Sequence, residues 1–163
     1  MRKVLAVDTP TLLRLTGVAP TTLNYWVSRE FCAPSLDTGS GRRATRYWTV
    51  HDVLVIRAIK RLRDLGCSLQ NLAKVRDLLS GLTQKTLGTS VLVYDGSDLM
   101  LLDEGSVVSL LRTRGQAVFV EALVTVSIPM GPWLREARQV AEPIDPVQIR
   151  SRRERIATRR QAS

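Results

Sequence analysis

Apolar residues recur at helical spacing in four segments of the first half of the chain, and each segment is bracketed by residues that start or stop helices. Leu12, Leu13 and Leu15 follow Asp8-Thr9-Pro10. Asp8 or Thr9 can accept from the free amides of a first turn, and Pro10 falls where a missing amide costs nothing. Gly17 then breaks the pattern. Ala19-Pro20 opens a second helix that places Leu23, Trp26 and Val27 on one side and Thr21, Asn24, Tyr25 and Ser28 on the other. A third begins with Thr49 as cap and Asp52 at the capping-box position, carries a stripe of Val50, Val53, Ile56, Ile59, Leu62 and Leu65, and stops at Gly66. Ser68 starts a fourth with Leu69, Leu72, Val75, Leu78 and Leu79, and Gly81 ends it. Stripes of this kind are core, so the third and fourth helices are assigned a structural part.

Beyond Gly81 the periodicity changes. Gly88 interrupts the helical spacing, and the chain then offers a strand at Val91–Tyr94, a turn at Asp95-Gly96 and a strand at Leu99–Leu102. A helix from Glu104 to Arg112, a second strand-like run from Ala117 to Val126 and a short helix from Pro132 to Val140 follow. This predicts a small β-α-β arrangement, after which Pro143 and Pro146 loosen the chain into a tail rich in arginine, Arg150 to Arg160, expected to be disordered when free. The fold class expected is α+β, in three parts: residues 1–82, a small αβ domain at 89–142 and a basic tail at 143–163.

Between the second and third helices lies Thr38-Gly-Ser-Gly-Arg-Arg-Ala-Thr-Arg46, a loop whose glycines permit a sharp reversal and whose three arginines can meet phosphate oxygens. Helix, glycine turn, helix and basic loop are the parts of a winged helix-turn-helix. The polar side of the second helix contains no acid, which suits a polyanionic partner.

Charge supports this reading. Of the net +9, residues 1 to 88 hold 14 basic and 6 acidic side chains, residues 89 to 142 hold 4 and 7, and residues 143 to 163 hold 6 and 2. A basic N-terminal part and a mildly acidic middle imply different tasks for the two. At 163 residues with 44% hydrophobic content the chain can bury one proper core or two small ones. Cys32 and Cys67 are too few and too far apart in sequence for a metal site, and they are read as packing thiols. Trp26 and Trp48 fall in apolar patterns and belong to the core. No nucleophile or ligand cluster surrounds His51, the single histidine, so neither an enzyme nor a cofactor is expected. No signal peptide or membrane span is seen, since the apolar run from Ala117 to Ile128 is broken by Glu121. The expected location is the cytoplasm, on DNA.

Residues from about Asp8 to Leu79 resemble the DNA-binding domain of MerR-type transcription regulators. Gly17-Val18-Ala19-Pro20 followed by Thr22-Leu23-Asn24-Tyr25-Trp26 is similar to that family's turn and recognition helix. Arg46-Tyr47-Trp48-Thr49, Asp52-Val53 and Arg61 to Leu69 resemble its wing end and the helix pair behind it. The resemblance covers a little under half the chain. It implies that Pro20–Ser28 enters the major groove, where Thr21, Thr22, Asn24 and Tyr25 meet DNA, and that Arg42, Arg43, Arg46 and Tyr47 lie along the backbone. Two positions depart from the pattern: Asn24 stands where the family often has arginine, and Thr21 where a basic residue is common. Asn24 either pairs with an adenine edge or is merely solvated.

The family usually continues into a long helix that pairs with a partner, and this chain does not. Pairing of two copies through Val91–Tyr94 and Ala117–Val126 is the expected substitute, giving a homodimer on double-stranded DNA; contact with RNA polymerase is a further expectation. The function expected is a sequence-specific transcription regulator. Its alternatives are an architectural DNA-binding protein similar to recombination directionality factors and an antitoxin-like interaction protein.

Overall fold

The computed structural model describes residues 2–37, 45–96, 98–103, 106–109 and 126–149. The architecture is α+β, and it divides into two compact units: one is formed by residues up to Val53 together with those from Ala137 onward, the other by Leu54–Glu136. The divisions fall inside two helices, α3 (Val50–Asp64) and α6 (Met130–Val140).

The first unit is organised by β1 (Val4–Asp8), which is hydrogen-bonded along both edges. On one side it pairs antiparallel with β3 (Arg46–Thr49), Val7 opposite Trp48; on the other it pairs antiparallel with β8 (Glu142–Ile144), Val4 opposite Ile144. With β2 (Leu36–Asp37) beyond β3, the sheet order is β2-β3-β1-β8. Neither β1 nor β8 is evident from alternation, because each is short and β8 contains Pro143, which cannot donate to a ladder. Proline is tolerated on β8 because that strand stands at the end of the sheet order.

Helix α1 (Thr9–Thr16) follows β1 without a linker. The Asp8 carboxylate accepts from the Thr11 amide at 3.0 Å, and Gly17, in the left-handed region at φ 70°, returns its amide to the Leu13 carbonyl at 2.9 Å. The Thr16 hydroxyl donates to the Leu12 carbonyl and accepts from the Val18 amide, tightening the turn into α2 (Pro20–Ser28). Leu12, Leu15, Leu23, Trp26 and Trp48 are buried, and the Trp48 indole donates to the Thr9 hydroxyl at 3.1 Å. At the end of α2, Glu30 takes a left-handed conformation at φ 57° while Phe31 donates to the Trp26 carbonyl. Glycine is the residue this position favours.

The Thr49/Asp52 capping box closes reciprocally at the start of α3, Thr49 amide to Asp52 carboxylate at 2.8 Å and Asp52 amide to Thr49 hydroxyl at 3.2 Å. All of the expected α3 stripe is buried except Leu65, which is half-buried. Helix α4 (Leu69–Ser80) is capped by Ser68 and buries Leu72, Val75 and Leu79, whereas Leu69 and Leu78, expected in the core, are exposed.

The second unit departs further from the expectations. A short helix, α5 (Gln84–Thr89), occupies the stretch where Gly88 had suggested a break. Gly88 serves close packing instead: a Cβ there would lie 2.3 Å from Cδ2 of Leu134, and one on Gly131 would lie 2.8 Å from the Gly88 carbonyl oxygen, so α5 and α6 approach almost backbone to backbone. The sheet is antiparallel throughout, in the order β6-β5-β4-β7, from β4 (Val91–Tyr94), β5 (Leu99–Asp103), β6 (Ser106–Ser109) and β7 (Val126–Pro129).

The predicted helix from Glu104 to Arg112 is therefore wrong at Ser106–Ser109. That stretch holds the β-branched pair Val107-Val108 and bonds to Leu102 and Leu101 of β5. The β4–β5 turn is as expected, with Gly96 at φ 92° and Asp95 donating its amide to the Asp98 carbonyl. Dimerisation through Val91–Tyr94 is also overturned: β4 is bonded by β5 on one edge and β7 on the other, leaving no free row of backbone groups. Of the run from Ala117 to Val126, only Val126 lies within the described residues.

Two substitutions test these backbone features. Gly131→Ala forces a Cβ against a carbonyl oxygen that cannot move cheaply, and should cost about 1–3 kcal/mol. Gly88→Ala meets only the end of a leucine side chain and should cost less; urea unfolding that ranks them in the other order contradicts the close approach. Glu30→Gly should raise stability by about 1 kcal/mol by removing left-handed strain, visible as a higher melting temperature. An unchanged or lower melting temperature means that Glu30 is not strained.

Candidate nucleic-acid interface

Helix α2 presents two unlike faces. Leu23 and Trp26 are buried, Trp26 only 4% exposed, and the Trp26 and Phe31 rings lie 5.6 Å apart at an interplanar angle of 46°. These contacts fix the rotation of the helix. Thr21, Asn24, Tyr25 and Ser28 are consequently turned to solvent, with Tyr25 at 56% exposure. Thr22 is half-buried between the two faces. The Ser28 hydroxyl donates to the Tyr25 carbonyl, so its hydrogen is already committed, whereas the helix offers hydroxyl and amide groups at Thr21, Asn24 and Tyr25 and no carboxylate.

One contributor on this face was missed from the sequence. Arg29, the residue after α2, is exposed, and its guanidinium carbon lies 5.6 Å from the centre of the Tyr25 ring. The i, i+4 spacing of an aromatic and an arginine was the available signal.

The basic loop is only partly in view. Residues 38–44, which include Arg42 and Arg43, lie outside the described residues; β2 and β3 on either side of them are antiparallel, with Leu36 opposite Tyr47 and Asp37 opposite Arg46. Arg46 and Tyr47 are both half-buried, and as neighbours on a strand they leave it toward opposite faces. Tyr47 lines a cleft of about 170 Å³ with Asp8, Thr11, Thr45 and Glu142 over an apolar floor of Ala6, Val7, Val140 and Ile144. The ionisable groups lining this cleft besides the Tyr47 phenol are two carboxylates, so its electrostatics oppose a phosphate. The structure therefore brings Thr21, Asn24, Tyr25 and Arg29 onto one element and separates Arg46 from Tyr47.

In the Leu54–Glu136 unit, burial pushes the Cys67 thiol above its ordinary range, partly opposed by a hydrogen bond with Tyr94. The Tyr94 hydroxyl is itself raised by burial and by Cys67, and it donates to the Gly96 carbonyl at 3.0 Å. A thiol held in its neutral form is a poor nucleophile and a poor metal ligand, which fits a packing role. Among the described residues no group of three or more histidine, cysteine, aspartate or glutamate side chains is placed to hold a metal ion, and no helix is long and apolar enough to cross a membrane.

The family described as MerR HTH family regulatory protein matches residues 10–79. Uncharacterized HTH-type transcriptional regulators of Mycobacterium bovis and of two strains of Mycobacterium tuberculosis are each 29% identical to this chain over 110 residues, covering 68% of it and 49% of the relative. The chain thus spans about half the length of these curated relatives. No solved structure matches. The capped α1, the glycine turn, the two-faced α2 and the two helices that follow in sequence agree with the family match: residues 10–79 are a MerR-type helix-turn-helix domain.

Proposed function

We propose that this protein is a sequence-specific DNA-binding transcription regulator in which α2 enters the major groove and the arginines of the 38–46 segment meet the phosphate backbone. The observation that carries the proposal is the exposed, acid-free face of Thr21, Asn24 and Tyr25, held outward by the buried Leu23 and Trp26 within a domain of MerR type. Backbone contacts from Arg42, Arg43 and Arg46 set register, and the short polar side chains of α2, Thr22 among them, read base edges. Tyr47 is left out of the proposed contacts because its cleft is lined by Asp8 and Glu142. The names of the mycobacterial relatives support the regulatory part of this reading.

A single helix-turn-helix spans too few base pairs to be selective in a genome, so a second copy of the chain is proposed to read a second half-site. That copy does not join by adding a strand to β4, both edges of which are occupied.

The experiment is to select duplexes from random fragments with the full-length protein and sequence them. A recurrent motif with two spaced half-repeats is expected, and enrichment without any common sequence would overturn sequence-specific reading. Asn24→Ala should change the preferred base at one position of each half-site by roughly 1–3 kcal/mol. If the variant selects the wild-type motif and only binds it more weakly, Asn24 contacts the backbone and readout lies elsewhere on α2.

A further inference from the structure

We infer that Arg29 is the phosphate anchor of α2, and that the ring of Tyr25 positions it. The inference rests on the DNA-binding reading above and adds to the arginines of the 38–46 segment a charge at α2 itself. Helix α2, Pro20–Ser28, contains no charged residue, and from residue 15 to residue 41 the only lysine or arginine is Arg29. A groove-reading helix without a cation can hydrogen-bond the flanking phosphates but adds nothing to the electrostatic hold on them, because neutral hydroxyls and amides release no counterions on binding.

Arg29 is in the right place to supply that charge. It is the C-terminal cap residue of α2 and is exposed. Its guanidinium lies over the ring of Tyr25, one helical turn back on the face that also carries Thr21 and Asn24. The ring restricts the long side chain on one side, and a guanidinium keeps there the fork of N–H groups that matches two phosphate oxygens. A cation here also complements the negative end of the α2 dipole, so stability has to be read alongside binding.

Tyr25 on this account acts on Arg29 through its ring and is a positioning residue. The exposed tyrosine and the exposed arginine form one unit, and the selectivity of α2 rests on Thr21, Thr22 and Asn24.

The test measures affinity of the full-length protein for a 30-base-pair duplex containing the selected motif, and for a scrambled duplex, as a function of salt. Arg29→Ala should weaken both about tenfold at low salt and reduce the slope of log affinity against log salt by about one, with the preferred sequence unchanged. Arg29→Lys should keep the wild-type slope. Tyr25→Phe should lose less affinity than Tyr25→Ala, which should weaken binding at an unaltered melting temperature.

An Arg29→Ala slope equal to wild type removes Arg29 from the interface and leaves the DNA-binding reading standing. A Tyr25→Phe variant as weak as Tyr25→Ala assigns the effect to the hydroxyl and overturns the positioning role. A wild-type protein that binds neither duplex overturns the inference together with the reading beneath it. If Arg29→Ala loses affinity only in proportion to a lowered melting temperature, with the salt slope unaltered, the residue is a helix cap and the inference fails.

Discussion

The N-terminal unit depends on one short strand being hydrogen-bonded on both sides. β1 is five residues long, yet it holds β3 along one edge and β8 along the other, and its last residue, Asp8, is at once the partner of Tyr47 and the cap of α1. Those pairings set the position of α1 and of Trp48 together, and the indole of Trp48 closes the arrangement by donating to Thr9 at the first residue of α1. Strand pairing also ties residues more than 130 positions apart in sequence into one sheet, Val4 with Ile144, so the final described strand is part of the unit that carries the helix-turn-helix.

From that frame the chemistry of α2 follows by exclusion. Helix α2 is apolar on one side only, and the side chains Leu23 and Trp26 determine which side goes inward. What remains outside is polar, uncharged and rich in hydrogen-bonding groups, with one arginine at the exit whose guanidinium lies over one tyrosine ring. A surface of that kind is poorly suited to general acid-base or nucleophilic chemistry, and well suited to reading donor and acceptor patterns on another macromolecule. The left-handed Glu30 lies immediately beyond, where the chain must turn so that Phe31 can reach back to Trp26.

Three of the four helices of the first half, α1, α3 and α4, were legible because each carries its own start and stop. Asp8, Thr49 with Asp52, and Ser68 make the capping bonds that the sequence implies, and Gly17 and Gly66 take positive φ at the stops. The two faces of α2 were legible for the same reason, since 3.6-residue periodicity is a local property. What could not be read depends on partners distant in sequence. β1 and β8 each need the other, and neither alternates over enough residues to announce itself. Gly88 looked like a helix breaker and is a contact residue, a distinction that exists only once Leu134 and Gly131 are beside it. Ser106–Ser109 was assigned to a helix because a short segment of valine and serine has no period of its own, and β5 decides the matter. Arg29 went unremarked because a lone arginine at a helix end has an ordinary explanation in the helix dipole, and only its place over the Tyr25 ring suggests more.

The central claim is that the outward face of α2 is the DNA-reading surface, and the most direct measurement is amide chemical-shift mapping of the isotope-labelled protein titrated with its selected duplex. The account predicts the largest changes at residues 21, 22, 24, 25 and 29, with smaller ones at Arg46 and little change in the amides of β4 and β5. Changes concentrated in the second sheet, with residues 21–29 unmoved at saturating duplex, would contradict it.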